Sequence, residues 1–545
     1  MLTKLVNSRD FKIALMVSFV SVLPFLTLFS GFFQQDEWLG YTRSILLRGS
    51  GPAELLTYAF APSAGHYFPF TLLLVYLIYS LFGLNYLFYV ILSLVMHFTN
   101  VVLVYFLAIS LFKDRKSAFL VALLFGISAS AYQGTAWIAA NIGSHMAAIF
   151  GILSMIFILK NKITLTLLAL LISLLFKEIA VGLIIILPLL IFLYKGKGKY
   201  SVLILLFGGL YSIFRIFIFM AAQSGAATSA IGSSEAVDIT RFVYNFATLP
   251  IKAVVQILIP SNYLREVAFF LSNLFRDEIT GGLGSPRFEQ FAIKRVFELL
   301  NIILFGALIL FAVKWLAKAN LKLFQIKNVF FGVFFILLNS LVFALVPEVS
   351  GIVSIIDSRN FYFLSIGMAF FLVSFTLLYK ARGQAVLLFF IALNFFSLWK
   401  NLETFNIKGS ERKQILLTIK QAYPDLPDKA LFYFESDTAY YGLAEEIKIP
   451  PFQSGFGQTL LAYYWEQEQY PKEFYENRFL WDITSQGYKK AGERGFGYFR
   501  DFETLKNFVL ENNIPFDSIF AFSWSDKDKK VLNISQEVRG RLTKI

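Results

Sequence analysis

The chain has 545 residues, of which 57% are hydrophobic and only 16% charged, with a mean hydropathy of +0.64. Soluble domains carry about 25% charged residues, so a water-soluble fold could not hide this much apolar surface, and helical membrane spans are expected. The formal net charge of +13 does not indicate nucleic acid: residues 1–400 hold 30 Lys+Arg against 15 Asp+Glu, the remainder 19 against 21, and a basic excess among apolar segments is a topology signal.

The first apolar segment, residues 11–33, exceeds a signal-peptide core of about 7–15 residues and ends without a small-residue cleavage pattern, so a retained anchor is expected. Lys4, Arg9 and Lys12 put the N-terminus on the cytoplasmic side. A first outer loop follows over 34–85. The run 69–82 within it is short of the roughly 20 residues a span needs and is read as re-entrant or surface-lying.

Spans are then expected over 86–112, 118–137, 143–159, 164–176, 179–194 and 202–220. Their inner ends carry Lys113, Arg115 and Lys116, then Lys160 and Lys162, then Lys195, Lys197 and Lys199. A second long outer loop covers 221–295, in which Pro250 and Pro260 bracket an apolar piece expected along the membrane surface. Four further spans over 296–316, 329–346, 361–379 and 386–399 bring the count to about eleven. They leave residues 401–545 outside as a small α/β domain with a strand over 430–435 and a helix over 502–512. In this layout 1–400 is the membrane domain, and only Asp10 and Asp114 among its acids lie on the cytoplasmic side.

The residues able to carry chemistry gather on the outer side. Asp36 and Glu37 follow the first span, and adjacent carboxylates can act as a general base, a metal ligand or both; a charged flank is the plainer alternative. Lys177 and Glu178 interrupt an apolar stretch, and ionisable groups near membrane depth are costly enough to mark function. Arg215 lies near the outer end of its span, and Asp357 with Arg359 precedes another. Arginine forks suit phosphate oxygens, so Lys177, Arg215 and Arg359 together would make a cationic site for a lipid phosphate or diphosphate. His66 and His145, the latter near Asn141, face outward in this scheme and could orient a substrate; His97 is mid-span and reads as a packing residue. The absence of cysteine excludes disulfides, thiolate catalysis and Cys-ligated metals. Gly281, Gly282 and Gly284 lack the spacing of a phosphate loop.

The order of these features resembles the GT-C glycosyltransferases. The pattern is an acidic pair after the first span, then His66-Tyr67-Phe68-Pro69 leading to Phe82-Gly83-Leu84-Asn85, then Phe176-Lys177-Glu178, then Asp357-Ser358-Arg359-Asn360-Phe361-Tyr362 opening a late span. The protein O-mannosyltransferase and aminoarabinose-transferase branch is the nearest, together with membrane mannosyltransferases bearing tetratricopeptide repeats, which this tail lacks.

The resemblance implies a sugar donor on a polyprenyl or dolichyl phosphate, used at the outer membrane face with inversion. Asp36 would be the base on the acceptor hydroxyl with Glu37 beside it, and Lys177 and Arg359 would hold the departing phosphate. His66, Tyr67, Asn141, His145, Glu178 and Asp357 are the further substrate-binding candidates. Some branches use a divalent metal, so Mg or Mn at Asp36 and Glu37 stays open, as does the acceptor. A lipid-linked sugar transporter or flippase, or a surface-polysaccharide polymerase or ligase, would need similar cations. The first would favour inverted repeats, which the sequence does not display.

Overall fold

A computed structural model describes residues 8–34, 37–62, 66–196, 198–224, 239–274, 286–316, 323–345, 355–377, 380–438, 448–452, 455–466, 472–475, 477–482 and 485–544. Two compact units emerge. The first comprises Met1–Thr27, Thr57–Leu72 and Val90–Glu403, the second Leu28–Leu56, Leu73–Tyr89 and Thr404–Ile545.

Among the described residues, eight helices are long and apolar enough to cross a membrane, or up to ten if each of two bent pairs is one span. The long ones include Tyr86–Phe112, Ile142–Leu159, Lys199–Ile218 and Ser358–Leu377. The segment expected over 118–137 is a bent pair, Arg115–Gly126 and Ala129–Ala136, turned by 42°. Two of the eleven expected spans are shorter than a bilayer needs: Ile163–Phe176 has 14 residues, and the next stretch is the 3-10 turn Glu178–Gly182 leading into Leu183–Tyr194. Pro69–Phe82 is likewise a 14-residue helix.

The first unit is a helical bundle whose interior is filled by residues such as Val104, Leu183, Leu187, Phe335 and Phe370. Local chemistry sets its turns. Asp114 caps the Arg115–Gly126 helix, accepting from the Ser117 N–H at 2.8 Å. Asn161 takes a positive φ of 59° in the two-residue turn before Ile163–Phe176, a conformation asparagine tolerates better than most residues. The Leu323–Ser340 and Phe361–Leu377 helices approach closely because each offers a glycine. A Cβ on Gly332 would lie 2.6 Å from the Phe371 nitrogen, and one on Gly367 would lie 2.7 Å from the Gly332 carbonyl.

One expectation is corrected. The apolar piece around Pro250 does not lie apart from the bundle. Pro250 sits inside the Ile239–Leu258 helix, whose Leu249, Ala253 and Ile257 are fully buried in the main core, and Pro260 marks a 104° bend into Ser261–Leu274. This helix packs against Leu323–Ser340 and Phe361–Leu377. It also packs against the Pro286–Leu316 helix, where buried Lys252 donates to Glu298 at 2.9 Å.

In the second unit a five-stranded sheet has the order β2-β3-β1-β4-β5, formed by β1 Lys429–Ser436, β2 Gly487–Ala491, β3 Arg494–Phe499, β4 Ile519–Ser525 and β5 Lys530–Asn533. Strand β1 is parallel to β3 and β4, with antiparallel edges outside them. The β1 run Ala430-Leu431-Phe432-Tyr433-Phe434 is buried throughout, as a central strand covered on both faces must be. Leu431 and Tyr433 share a core with the Phe502–Asn512 and Ser535–Thr543 helices, while Phe432 and Phe434 meet Tyr464 and Phe456 on the other face.

The same unit contains much of the first loop. The Glu37–Leu46 helix packs on Phe456–Tyr464, and Phe33 lies edge-on to Tyr41, Tyr86 and Tyr89 at 5.0–5.3 Å between ring centroids. Contacts of this kind stabilise by about 0.5–1.5 kcal/mol beyond area burial. Gly83, with φ +53°, sits beside Glu466, whose carboxylate accepts the Leu84 N–H at 2.5 Å.

Candidate functional site

The break at Lys177 and Glu178 organises several polar residues of the first unit. The Ile163–Phe176 helix stops where Lys177 turns extended (φ −162°, ψ 141°), and the 3-10 turn starts at Glu178. Thr71 helps end the helix by donating its hydroxyl to the Phe176 carbonyl at 2.5 Å, while Phe70 and Phe150 pack on the Phe176 ring. The chain is thereby held still where two charged side chains leave apolar helices.

Glu178 is the hub. Its Oε1 accepts the Tyr67 N–H at 2.7 Å and lies 3.3 Å from Arg215 Nη2 and 3.5 Å from His66 Nδ1. Burial alone would push its carboxyl up, but the His66 imidazole, Arg215 and the Tyr67 N–H outweigh it and hold the carboxyl below its ordinary value. His66, Tyr67, Glu178 and Arg215, singled out separately in the sequence, therefore form one cluster.

Lys177 points elsewhere. It is half-buried, and its Nζ donates to Ser144 Oγ at 2.5 Å on the Ile138–Leu159 helix. Burial first, and the neighbouring Arg359 guanidinium second, lower its ammonium to about 8. Arg359 sits on the 3-10 turn Ser358–Asn360, its guanidinium 4.8 Å above the Trp137 ring and its Nη2 3.4 Å from Asp357 Oδ2. The Asp357–Arg359 loop is pinned from two sides: Ser358 Oγ accepts the Gln133 N–H at 3.3 Å, and Gln256 Oε1 accepts the Ile356 N–H at 3.0 Å.

The histidines divide clearly. His97 has both ring nitrogens bonded at 3.0 Å, to the Tyr362 hydroxyl and the Gly126 carbonyl, as a packing residue should. His145, considered for orienting a substrate, is fully enclosed, with its ring 4.5 Å from that of Tyr362 and 3.3 Å from the Asn100 amide. Asn141 begins the same helix, with its side chain outside the described set.

Of the acidic pair, Glu37 belongs to the second unit. Asp36 lies outside the described residues. Glu37 is 2% exposed and accepts the Gln34 backbone N–H at the start of its helix. Among the described residues no group of three His, Cys, Asp or Glu side chains could hold a metal ion.

Ser144, Thr71, Gln133 and Gln256 were not singled out in the sequence. Each is a common polar residue whose role comes from which helix it meets, and no spacing announces it.

No family model matches the chain. No curated protein matches it either. Among solved structures it is similar to the crystal structure of ArnT from Cupriavidus metallidurans bound to undecaprenyl phosphate, over 94% of this chain and 93% of that one, with 11% identity and a TM-score of 0.39.

Proposed function

We propose that the chain is a membrane glycosyltransferase that moves a sugar from a polyprenyl-phosphate carrier to an acceptor at the outer face of the membrane. The observation that carries this reading is that Lys177 Nζ reaches Ser144 and the Arg359 guanidinium lies over Trp137, so that both cations meet the first turns of the same helix. Glu178, the acid next to Lys177 in sequence, is engaged by Arg215, His66 and the Tyr67 N–H, and Asp357 is an exposed partner of Arg359. A phosphate presents oxygens to both cations, and apolar helices on either side suit its lipid chain.

In the proposed step the acceptor hydroxyl oxygen bonds to the anomeric carbon as the bond from that carbon to the phosphate oxygen breaks. The hydroxyl proton passes to the Asp36 carboxylate, and the polyprenyl phosphate leaves as the anion held by Lys177 and Arg359. A single displacement of this kind inverts the anomeric centre. Arg215 with Glu178 orders the His66–Tyr67 segment for substrate binding. The distribution of Lys and Arg supports a cytoplasmic N-terminus and an outer tail.

The test is sugar transfer from a polyprenyl-phosphate donor by the full chain in vesicles. Asp36→Asn should abolish transfer while leaving donor binding intact. Full activity in that variant would remove the base assignment, and movement of the donor between leaflets with no glycosidic bond formed would favour a flippase.

A further inference from the structure

We infer that Arg412, contributed by the Lys380–Ala422 helix, is a positioning residue for Glu37, one of the two first-loop carboxylates. The role of those carboxylates rests on the transferase reading above; the way their segment is held rests on geometry within the second unit alone.

Residues 31–34 leave a 3-10 turn in irregular backbone just before Asp36 and Glu37. Irregular backbone needs partners from elsewhere, and Gln34 supplies the link. Its backbone N–H donates to the Glu37 carboxylate, its side-chain Nε2 donates to the Phe32 carbonyl at 3.0 Å, and its Oε1 accepts from Arg412 Nη1. The same guanidinium donates through Nε to the Pro451 carbonyl at 2.7 Å. Arg412 is 3% exposed and Gln34 6%.

A buried guanidinium is a costly way to fill space. Its value is the rigid fork, which fixes two directions at once. Here one arm holds the tail segment that contains Pro451, and the other holds the residue whose N–H meets Glu37.

The helix is shaped to allow this. Asn406, Gly409 and Arg412 recur every three residues on one face. A Cβ on Gly409 would lie 2.9 Å from the Phe32 nitrogen and 3.2 Å from Gln34 Nε2, and one on Gly31 would lie 2.9 Å from Asn406 Oδ1. The face that carries Arg412 therefore lies directly against the segment that precedes the acids. The tail, on this inference, is a working part of the acceptor side of the reaction.

The chain has no cysteine, so Gln35→Cys in the full-length protein gives a single reporter for a membrane-impermeant maleimide. Arg412→Ala should raise the labelling rate at position 35 about tenfold and lower kcat for transfer by about 100-fold, with the donor KM changed by less than about twofold. Arg412→Lys, which keeps one donor, should recover part of both losses, and Gln34→Ala, which cuts the same bridge from the loop side, should reproduce them if Arg412→Ala does not fold. Unchanged labelling together with unchanged kcat in folded Arg412→Ala and Gln34→Ala overturns the inference. Full transfer by Asp36→Asn, with labelling still raised by Arg412→Ala, keeps Arg412 as the anchor of the segment and overturns the assignment of Asp36 as the base instead.

Discussion

At Lys177 an ammonium is partly buried beside a guanidinium, and both influences favour its neutral form. A bound phosphate reverses that balance. Lys177→Ala and Arg359→Ala should each raise the donor KM, since a hydrogen bond to a charged group contributes about 1.5–3 kcal/mol, roughly 10- to 100-fold. The pH profile follows from the direction of the shift. With the free-state ammonium at about 8, donor kcat/KM should fall as pH rises through that value. Lys177→Arg, which stays charged, should remove the alkaline limb, and an unchanged limb in that variant would assign the titration to another group. Lys177 and Glu178 were legible in the sequence because two charges interrupt an apolar run. That they diverge, one to Ser144 and Arg359 and the other to Arg215 and His66, was not, because the extended backbone at Lys177 sends adjacent side chains to opposite neighbours.

Helix contacts obey a different logic from polar sites. The Leu323–Ser340 and Phe361–Leu377 helices touch backbone to backbone through Gly332 and Gly367, so Gly332→Val has no space to enter. It should cost about 1–3 kcal/mol or more as overpacking, seen as a lower Tm in detergent, whereas an unchanged Tm would mean that the helices separate freely. The Ile239–Leu258 helix is the element that the sequence misplaced, because Pro250 within it and Pro260 after it read as brackets around a surface piece. Pro250 is accommodated within the helix, and Glu298 pairs with its Lys252 from a helix about 45 residues later. The strand around Leu431 and the helix after Asp501 were legible from local pattern, because a continuous apolar run and an amphipathic stripe need no distant partner to be recognised.

For the whole molecule, hydropathy and charge were enough to indicate a multi-span helical protein with a small sheet-bearing tail, and eight to ten candidate spans agree with that class. The first unit ends at Glu403, and the second takes in residues 28–56 and 73–89 as well as 404–545. The grouping of residues 28–56 and 73–89 with the tail was not legible, because Phe33 meeting Tyr86 and Tyr89, and Gln34 meeting Arg412, are contacts across about 50 and 380 residues of chain. The central claim is that this membrane unit holds the phosphate of a lipid-linked sugar. It is tested most directly by an experimental structure of the full chain with polyprenyl phosphate bound. The account predicts density for the phosphate within hydrogen-bond reach of Lys177 Nζ and the Arg359 guanidinium. A phosphate resolved at another position, with Lys177 still on Ser144 and Arg359 still over Trp137, would contradict it.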